Sequence, residues 1–591
     1  MEGATIRAVS APRPKSPGLD QRPSNRRVAD VIAIVVFVST TVAVFWFIHH
    51  FAVNMIFYDQ WKDVEVIRSA QTGTLSLSTL WAQHNENRIL FPNLIVLLLA
   101  YTTHFNVVVE DYLNGLLAIA TAGLIIGAHR RRSPSTPWIA YCPVALALLS
   151  FFPLGDTLFG FNLSWYLVLF GLATALYLLD RPVPTRLTLI AAVAAAVLGS
   201  FSSLQGLLIW PAGLAILFLR RRSVTAMIVW VASAVVTTTI YFVHFNLALA
   251  GDDNSSVWAH PLESIRFFFS TIGDVLGYFI PPTSGAGSTG DLLLGLLVFA
   301  IALWALVLGF RRDASGGSPI GVALIIFGLL FTASITLGRF QLGLSSAARY
   351  SIFTLTIWVG AYLVLLSRLL DGRREGNPTT GDVPDHDPSP PTKRWVRVVT
   401  LAALALLVGL IGLQVMSGFS GGLNNAAGWH SEEVDIADVS VNIDKAPDDL
   451  VESQLGSYGP DFLRQMAAYA RANRLSLFGT SAVAEYTRQG LIPDLVTAVT
   501  RPTYGATLSG TTVFDASVIY PADLTTVRFS VTGGSLHNPV VSAARLTAYG
   551  WISIWDTTSV ANGYYEIRSV VVHAGGSPIF SAPVTVVVSN P

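Results

Sequence analysis

The sequence is poor in cysteine and in charge, and each shortage excludes a class of protein. Cys142 is the single cysteine in 591 residues, so no disulfide can form within the chain. Only 13% of the residues are charged, whereas a typical soluble domain has about 25%. The formal net charge is zero, which excludes the strong basic field that binding to nucleic acid requires.

Several catalytic motifs are also missing. The chain has no Walker A motif, no Cys-x-x-Cys pair and no His-Glu-x-x-His sequence. These motifs hold nucleotide phosphates in ATPases, and metal ions or redox centres in other enzymes. Their absence argues against an ATPase and against a zinc peptidase.

Long apolar runs fill residues 29 to about 417, and an ordinary polar composition follows. Runs of about 18 or more uncharged residues are long enough to cross the hydrocarbon as helices. We therefore predict a polytopic α-helical membrane domain over residues 29–417. Its eleven expected spans are at about 29–52, 108–128, 137–152, 163–179, 187–199, 203–219, 224–249, 290–310, 319–337, 347–370 and 396–417. Two further apolar segments, 89–104 and 263–280, are expected to include interfacial or re-entrant helix and would extend the count to about thirteen.

Clusters of basic residues set the expected orientation of these spans. They occur at Arg130–Arg132, Arg181 and Arg186, Arg220–Arg222, Arg311–Arg312, and across 373–397. Basic loops stay in the cytoplasm, so we expect residues 1–28 to form a disordered cytoplasmic N-terminus and 371–395 a cytoplasmic linker. Residues 53–88 then form the first external loop, and an odd number of spans places the C-terminus outside the plasma membrane.

The polar C-terminal part has two predicted units. Residues 418–500 are expected to be mostly helical, because 460–490 shows helical spacing of apolar residues. Residues 501–591 alternate apolar and polar residues between Gly, Asn and Pro turns, which predicts a β-sandwich. This unit resembles bacterial immunoglobulin-like modules. Trp551, Trp555 and Tyr564 either bind glycan or fill the core of the sandwich.

The first external loop has a chemically promising set of residues at its two ends. Asp59 follows the first span, and His84, Glu86 and Arg88 precede the next apolar segment. Both ends of the loop lie at the same membrane surface, so the four side chains are expected near one another. A carboxylate can accept a proton from an attacking hydroxyl, and Arg can bind a phosphate leaving group. The alternative is that these loop residues only satisfy one another.

Two further residues of this loop, Trp61 and Lys62, join the candidate set. Trp61 is expected to stack on a sugar or to lie at the membrane interface. Lys62 is expected to pair with phosphate.

These features resemble the GT-C superfamily of glycosyltransferases, which use polyprenyl-phosphate sugars as donors. The resemblance covers residues 29–417 in architecture, and its motif content is confined to Tyr58–Trp61 and His84–Pro92. It implies that Asp59 is the catalytic acid or base. Gln60 stands where many members have a second acidic residue, and the segment from His84 to Arg88 replaces their usual motif at the end of this loop.

Three more residues outside this loop are candidates for substrate binding. Gln205 lies in a polar turn between two short apolar segments and could bind a sugar hydroxyl, or could serve helix packing. Arg339 and Arg349 flank the outer ends of two spans and could hold the lipid phosphate, or could only extend to the interface.

The expected function is transfer of a sugar from a polyprenyl phosphate to a cell-envelope acceptor, with Asp59 as general base. His84 and Glu86 would orient the sugar or hold a divalent cation, and the need for a cation is left open. Two other functions are considered. A transporter of lipid-linked glycan would need charged residues within several spans. A non-catalytic scaffold would act through the external sandwich and would not need the first loop.

Overall fold

The computed structural model describes most of the chain. The described residues are 22–151, 155–246, 255–275, 289–311, 317–339, 348–374, 391–441, 443–444, 446, 448–479, 496–519, 524–534, 536, 540–547, 550–573 and 578–590. Residues 1–21 and 375–390, most of the predicted disordered N-terminus and of the predicted linker, lie outside the described residues. Residues 22–28, predicted to be disordered, instead begin the first helix.

Helices dominate the chain up to residue 479. They are α1 (Arg22–Phe51), α2 (Gln60–Gln71), α3 (Leu77–Leu80), α4 (Leu90–Thr103), α5 (Val107–Arg132), α6 (Cys142–Leu148), α7 (Leu163–Leu179), α8 (Arg186–Ser200), α9 (Ile209–Leu219), α10 (Val224–Phe242), α11 (Ser255–Ala259), α12 (Pro261–Gly273), α13 (Thr289–Phe310), α14 (Pro319–Arg339), α15 (Ser351–Arg374), α16 (Pro391–Ser417), α17 (Leu423–Val441), α18 (Asp448–Leu455) and α19 (Pro460–Ala472). A short hairpin, β1 (Gln83–His84) and β2 (Asn87–Arg88), joins α3 to α4.

Within the described ranges, eight helices are long and apolar enough to cross a membrane. These segments are Arg26–Phe51, Val107–Arg132, Gly160–Leu179, Val224–Phe242, Thr289–Phe310, Pro319–Gly338, Ser351–Leu370 and Arg394–Ser417. They match eight of the eleven predicted spans, and they are consistent with a multi-pass membrane protein. The other three predicted spans form the shorter helices α6, α8 and α9, of 7, 15 and 11 residues.

The long helices pack closely where glycine removes the side chain from the contact. A Cβ at Gly295 of α13 would lie 1.7 Å from the backbone oxygen of Phe269 in α12. A Cβ at Gly360 of α15 would lie 2.5 Å from the backbone oxygen of Gly321 in α14. Apolar helices in a membrane gain little from the hydrophobic effect, so such close backbone packing contributes much of their association.

The segment after α16 packs onto residues 53–88, which we call the first loop. Leu463, Met466, Ala467 and Ala470 recur with helical spacing on α19, and all are buried. They share one hydrophobic core with apolar residues of the first loop, including Trp61, Val64 and Ile67. The first loop and the C-terminal helices therefore form one folded unit, although more than 300 residues separate them in sequence.

The sheet region begins at Val496, five residues before the predicted boundary. Its strands are β3 (Val496–Arg501), β4 (Thr507–Leu508), β5 (Thr511–Ile519), β6 (Leu524–Gly533), β7 (Val540–Ala543), β8 (Arg545–Thr547), β9 (Gly550–Asp556), β10 (Gly563–His573), β11 (Ile579–Phe580) and β12 (Val584–Val588). One sheet has the order β4-β12-β10-β6-β7 with β11 on β10, and the other has the order β3-β5-β9-β8. Trp555 is buried with Phe514 and Tyr565 in the core, Trp551 packs beside this core, and Tyr564 is exposed.

Candidate functional site

The first loop places Asp59 on a tightly held turn. Tyr58 has φ of 42°, in the left-handed region, and α2 begins at the next residue but one. Gln60 fixes this turn because its amide accepts a hydrogen bond from the Phe57 N–H (3.0 Å) and donates one to Glu110 Oε2 (3.0 Å). Trp61 is fully buried behind the turn. The backbone that carries Asp59 is thus anchored on both sides.

His84 is presented by the hairpin at the other end of the loop. His84 pairs with Asn87 across a two-residue turn, in which Asn85 has φ of 49°. Asparagine tolerates this left-handed conformation better than most residues do. The hairpin brings His84 Nε2 to 3.5 Å from Asp59 Oδ2. This distance is long for a hydrogen bond, so the contact is mainly electrostatic.

Arg88 holds the hairpin to the end of α10. Its guanidinium donates hydrogen bonds to the carbonyl oxygens of Trp81 (2.6 Å), Val243 (2.9 Å) and His244 (3.2 Å). The carbonyl groups at the end of a helix lack partners within the helix, and a buried arginine can satisfy several of them. Arg88 is only 4% exposed. Its charge is engaged within the protein, so this placement does not support the predicted phosphate contact.

Asn87 connects the hairpin to the polar turn after α8. Its side-chain oxygen accepts hydrogen bonds from Ser203 Oγ (2.8 Å) and from the Leu204 N–H (3.0 Å). The Gln205 side chain contacts the same Ser203 hydroxyl through Oε1. This network buries Gln205 and places it beside the hairpin.

These elements surround a cavity of about 620 Å³. Five predicted site residues line it, namely Asp59, His84, Glu86, Gln205 and Arg349. Its volume falls within the range of about 300–1,000 Å³ that is usual for small-molecule sites. Aromatic rings make up much of the remaining wall, from Phe57, Phe159, Phe161, Trp165, Tyr350 and Trp429.

The other predicted site residues lie elsewhere. Trp61 is in the core of the first loop, and Arg88 caps α10. Lys62 forms an exposed ion pair with Glu65 (3.1 Å), and its Nζ lies 4.2 Å from the centre of the Phe462 ring. The side chain of Arg339 lies outside the described residues.

The electrostatic environment keeps Asp59 ionised. Burial raises the pKa of this carboxyl, but the closeness of His84, a hydrogen bond from Tyr458 and the charge of Arg349 together outweigh burial. The pKa of Asp59 is therefore below its ordinary value of 3.8. A carboxylate at this position is charged throughout the neutral range.

Asp156 lies in the same cavity wall but has the opposite behaviour. Burial raises its pKa well above the ordinary value, and the charge of Arg349 offsets only part of this effect. Its Oδ2 has no hydrogen-bond partner among the described residues. Two carboxyl groups whose pKa values move apart in one cavity can take different roles in proton transfer.

The C-terminal helical segment completes the site, and the sequence reasoning missed this contribution. Tyr458 donates a hydrogen bond from Oη to Asp59 Oδ1. Asn425 and Trp429 of α17 line the cavity, and Trp429 packs against Phe57 with ring centres 5.1 Å apart. The apolar face of α19 indicated that this helix is buried against another part of the protein. No signal in the sequence indicated that it packs on the first loop.

A divalent cation at His84 and Glu86 stays a prediction. In the part of the chain that the structure describes, no group of three or more His, Cys, Asp or Glu side chains has a metal-binding arrangement.

Comparisons with known proteins do not assign this chain to a family. No family model matches it, and no curated protein matches it. Among solved structures, an endo-β-1,4-mannanase from Thermotoga petrophila matches 23% of this chain and 28% of its own chain, at 16% identity. The TM-score of this match is 0.16, so it supports no conclusion about fold or function.

Proposed function

We propose that this protein is a membrane glycosyltransferase of the GT-C type. It would transfer a hexose or pentose from a polyprenyl-phosphate donor to a cell-envelope glycan, lipid or protein, on the outer face of a bacterial plasma membrane. The observation that carries the proposal is the ionised Asp59, held by His84 and Tyr458 at the wall of a cavity of suitable size. Such a carboxylate can accept a proton from an acceptor hydroxyl.

In the proposed reaction the acceptor hydroxyl attacks the anomeric carbon of the donor sugar. A new bond forms between the hydroxyl oxygen and this carbon, and the proton passes to Asp59. The bond from the anomeric carbon to the phosphate oxygen breaks, and the phosphate leaves with the electron pair. Asp59 is a weak base because its pKa is low. It therefore takes the proton late, when the new bond has made the hydroxyl acidic.

The departing phosphate gains negative charge, and Arg349 is suited to stabilise it. Arg349 is exposed at the cavity and contacts the Tyr350 hydroxyl at 3.4 Å. A protonated Asp156 would add a hydrogen-bond donor near this guanidinium. The aromatic side chains of the wall offer flat apolar surfaces to the sugar ring.

Two observations support an outward-facing, lipid-linked reaction. The arginine clusters lie at the end of the helices away from the cavity. There Arg131 donates a hydrogen bond to the Tyr177 carbonyl (2.6 Å), and Arg222 donates one to the Leu179 carbonyl (3.3 Å). By the rule for basic residues, that end faces the cytoplasm. An open apolar groove on α10, lined by Val235, Phe242 and Val243 among others, lies beside the hairpin end and suits a prenyl chain.

The two rival functions make different demands on the molecule. A transporter needs ionisable groups along its transport path. Glu110 and Asp111 are buried in the first turns of α5, and Asp291 in the first turn of α13. These acids lie at helix ends rather than across the middle of several spans. A scaffold would retain its function without the cavity, so it predicts that Asp59 is dispensable.

The test is complementation of cells that lack the protein. Asp461→Asn is a matched control, because Asp461 is an exposed acid at the start of α19 and does not line the cavity. We expect wild type and Asp461→Asn to restore one envelope sugar, and well-expressed Asp59→Asn to fail. Purified protein in nanodiscs is then supplied with synthetic polyprenyl phosphates that carry a labelled hexose or pentose. Full restoration by Asp59→Asn would exclude the proposed mechanism.

A further inference from the structure

The loop between α18 and α19 is shaped to present one tyrosine to the first loop. Tyr458 lies between Gly456, with φ of 115°, and Gly459, with φ of 83°. Both angles are in the region that favours glycine, so the chain can turn sharply on each side of Tyr458. Leu455 before the loop and Leu463 after it are fully buried, which anchors both ends.

The contacts of Tyr458 are directed at Asp59 and its surroundings. Its hydroxyl donates a hydrogen bond to Asp59 Oδ1, while His84 Nε2 faces Oδ2. Lys62 Nζ lies 5.3 Å from the centre of the Tyr458 ring, and the Phe462 ring packs at 5.9 Å. The ring is therefore held in place independently of the hydroxyl.

Tyr458 remains a neutral donor at every working pH. Burial raises the pKa of its hydroxyl above the ordinary value, and the negative charge of Asp59 raises it further. A neutral phenol donates to the ionised carboxylate and so favours the ionised form. The other groups that act on the charge of Asp59 are His84 and Arg349, which favour ionisation, and Asp63, whose buried carboxyl interacts unfavourably with it.

We infer that Tyr458 is a positioning residue of the transferase, which orients the Asp59 carboxylate toward the acceptor hydroxyl. This inference rests on the proposed function. With one oxygen held by Tyr458 and the other faced by His84, the carboxylate plane is fixed relative to the cavity. The C-terminal helical segment is then an obligatory part of the catalytic unit rather than an appended domain.

The matched pair of variants is Tyr458→Phe and Tyr469→Phe. Both remove one hydroxyl from the same segment, and both hydroxyl groups bond to the first loop, because Tyr469 donates to Gln71 Oε1. We expect Tyr458→Phe to lower kcat by roughly 10- to 100-fold with little change in KM for the donor, since a misoriented base loses its alignment. In the pH–rate profile of Tyr458→Phe, the loss of activity on the acidic side should begin about one pH unit higher, because the charged form of Asp59 has lost a hydrogen bond. Tyr469→Phe should show neither effect.

A second readout does not depend on sugar transfer. A carbodiimide modifies protonated carboxyl groups, so labelling of Asp59 across a pH series, measured by mass spectrometry, follows its titration. We expect a higher labelling midpoint in Tyr458→Phe than in wild type and Tyr469→Phe. If that shift occurs but wild type transfers no sugar, the contact role holds and the proposed function fails. If Tyr458→Phe is as active as wild type with an unmoved midpoint, the positioning role is excluded.

Discussion

The two ends of the helix bundle use charge in different ways. At the arginine-rich end, charged groups are matched to fixed partners, as Arg220 is to Asp180 and Arg368 to the carbonyl of Arg311 (3.0 Å). At the cavity end, Asp59, Glu86 and Asp156 line an open space together with Arg349. The first end stabilises the fold. The second holds ionisable groups in positions where a ligand can reach them.

The same comparison applies to two arginines at the cavity end. Arg88 and Arg349 are the same residue type near the same membrane surface, and both were predicted to bind phosphate. Arg88 is buried and bonded to backbone carbonyl groups, whereas Arg349 is exposed at the cavity. The two arginines differ because the C-terminus of α10 lies beside Arg88 and its carbonyl groups engage the Arg88 guanidinium.

The largest expected effect on stability is at the arginine-rich end. The Asp180 side chain is fully buried and that of Arg220 is 10% exposed. Asp180→Ala would leave this guanidinium without its partner, so we expect a loss of about 3–5 kcal/mol of unfolding free energy. Thermal unfolding in detergent measures the loss, with Asp59→Asn as the contrasting variant. An equal loss of stability in both variants would show that charged groups at the two ends contribute equally to folding.

A smaller loss of stability is expected at Arg88. Lysine keeps the charge but cannot donate to several carbonyl groups in the planar geometry of arginine. Arg88→Lys should cost about 1–3 kcal/mol of unfolding free energy and should also lower activity, because the hairpin carries His84. The thermal midpoint and kcat are measured on the same samples. Unchanged stability would mean that the cap on α10 is unimportant.

Arg349 should affect ligand binding rather than folding. We expect Arg349→Gln to raise KM for the donor by roughly 10- to 100-fold, since a charge-assisted contact to phosphate contributes about 1.5–3 kcal/mol. Arg349→Lys should recover part of the loss. The thermal midpoint should stay close to that of wild type. A stability defect with normal KM would place Arg349 in the structural group with Arg88.

The smallest expected effect is the pH dependence of wild type. The base is active when ionised, and the pKa of Asp59 is lowered, so activity should persist as pH falls and decline only below the ordinary value of 3.8. Folding stability should change with pH in the same direction. The ionised Asp59 stabilises the fold above pH 3.8, and this stabilisation is lost as the pH falls through the lowered pKa. Rate profiles between pH 3 and 8 measure the acid limb, about one decade per pH unit below the pKa. A limb near neutral pH would contradict this environment.

The sequence predicted those features that depend on local composition. Hydrophobic length alone was enough to locate the eight long helices, because burial of an apolar run needs no knowledge of its partners. The two ends of the first loop were also placed together, since Asp59 and His84 flank helices that begin or end at one surface. Short apolar runs such as 137–152 were less informative, because their helices end before they reach the length of a span.

The sequence could not predict contacts made over long distances in the chain. Tyr458 reaches Asp59 from 399 positions away, and the glycines beside it indicate a turn but not its partner. Trp429 and Asn425 enter the cavity wall because α17 continues from α16 through the π-helical segment Gly418–Gly422. These residues reach the site only because the C-terminal segment packs on the first loop, and only the three-dimensional structure shows that packing.

The shared core of the first loop and the C-terminal helices has a consequence for biosynthesis. Met55, Trp61 and Ile67 leave the ribosome early, but their packing partners Ile436, Leu463 and Met466 follow almost 400 residues later. The apolar face of the first loop therefore lacks these packing partners until the C-terminal helices have been made. A nascent chain that stops before residue 479 lacks part of this core. Tyr458 packs against this core and contacts Asp59, so the arrangement around Asp59 is complete only after the C-terminal helices have been made.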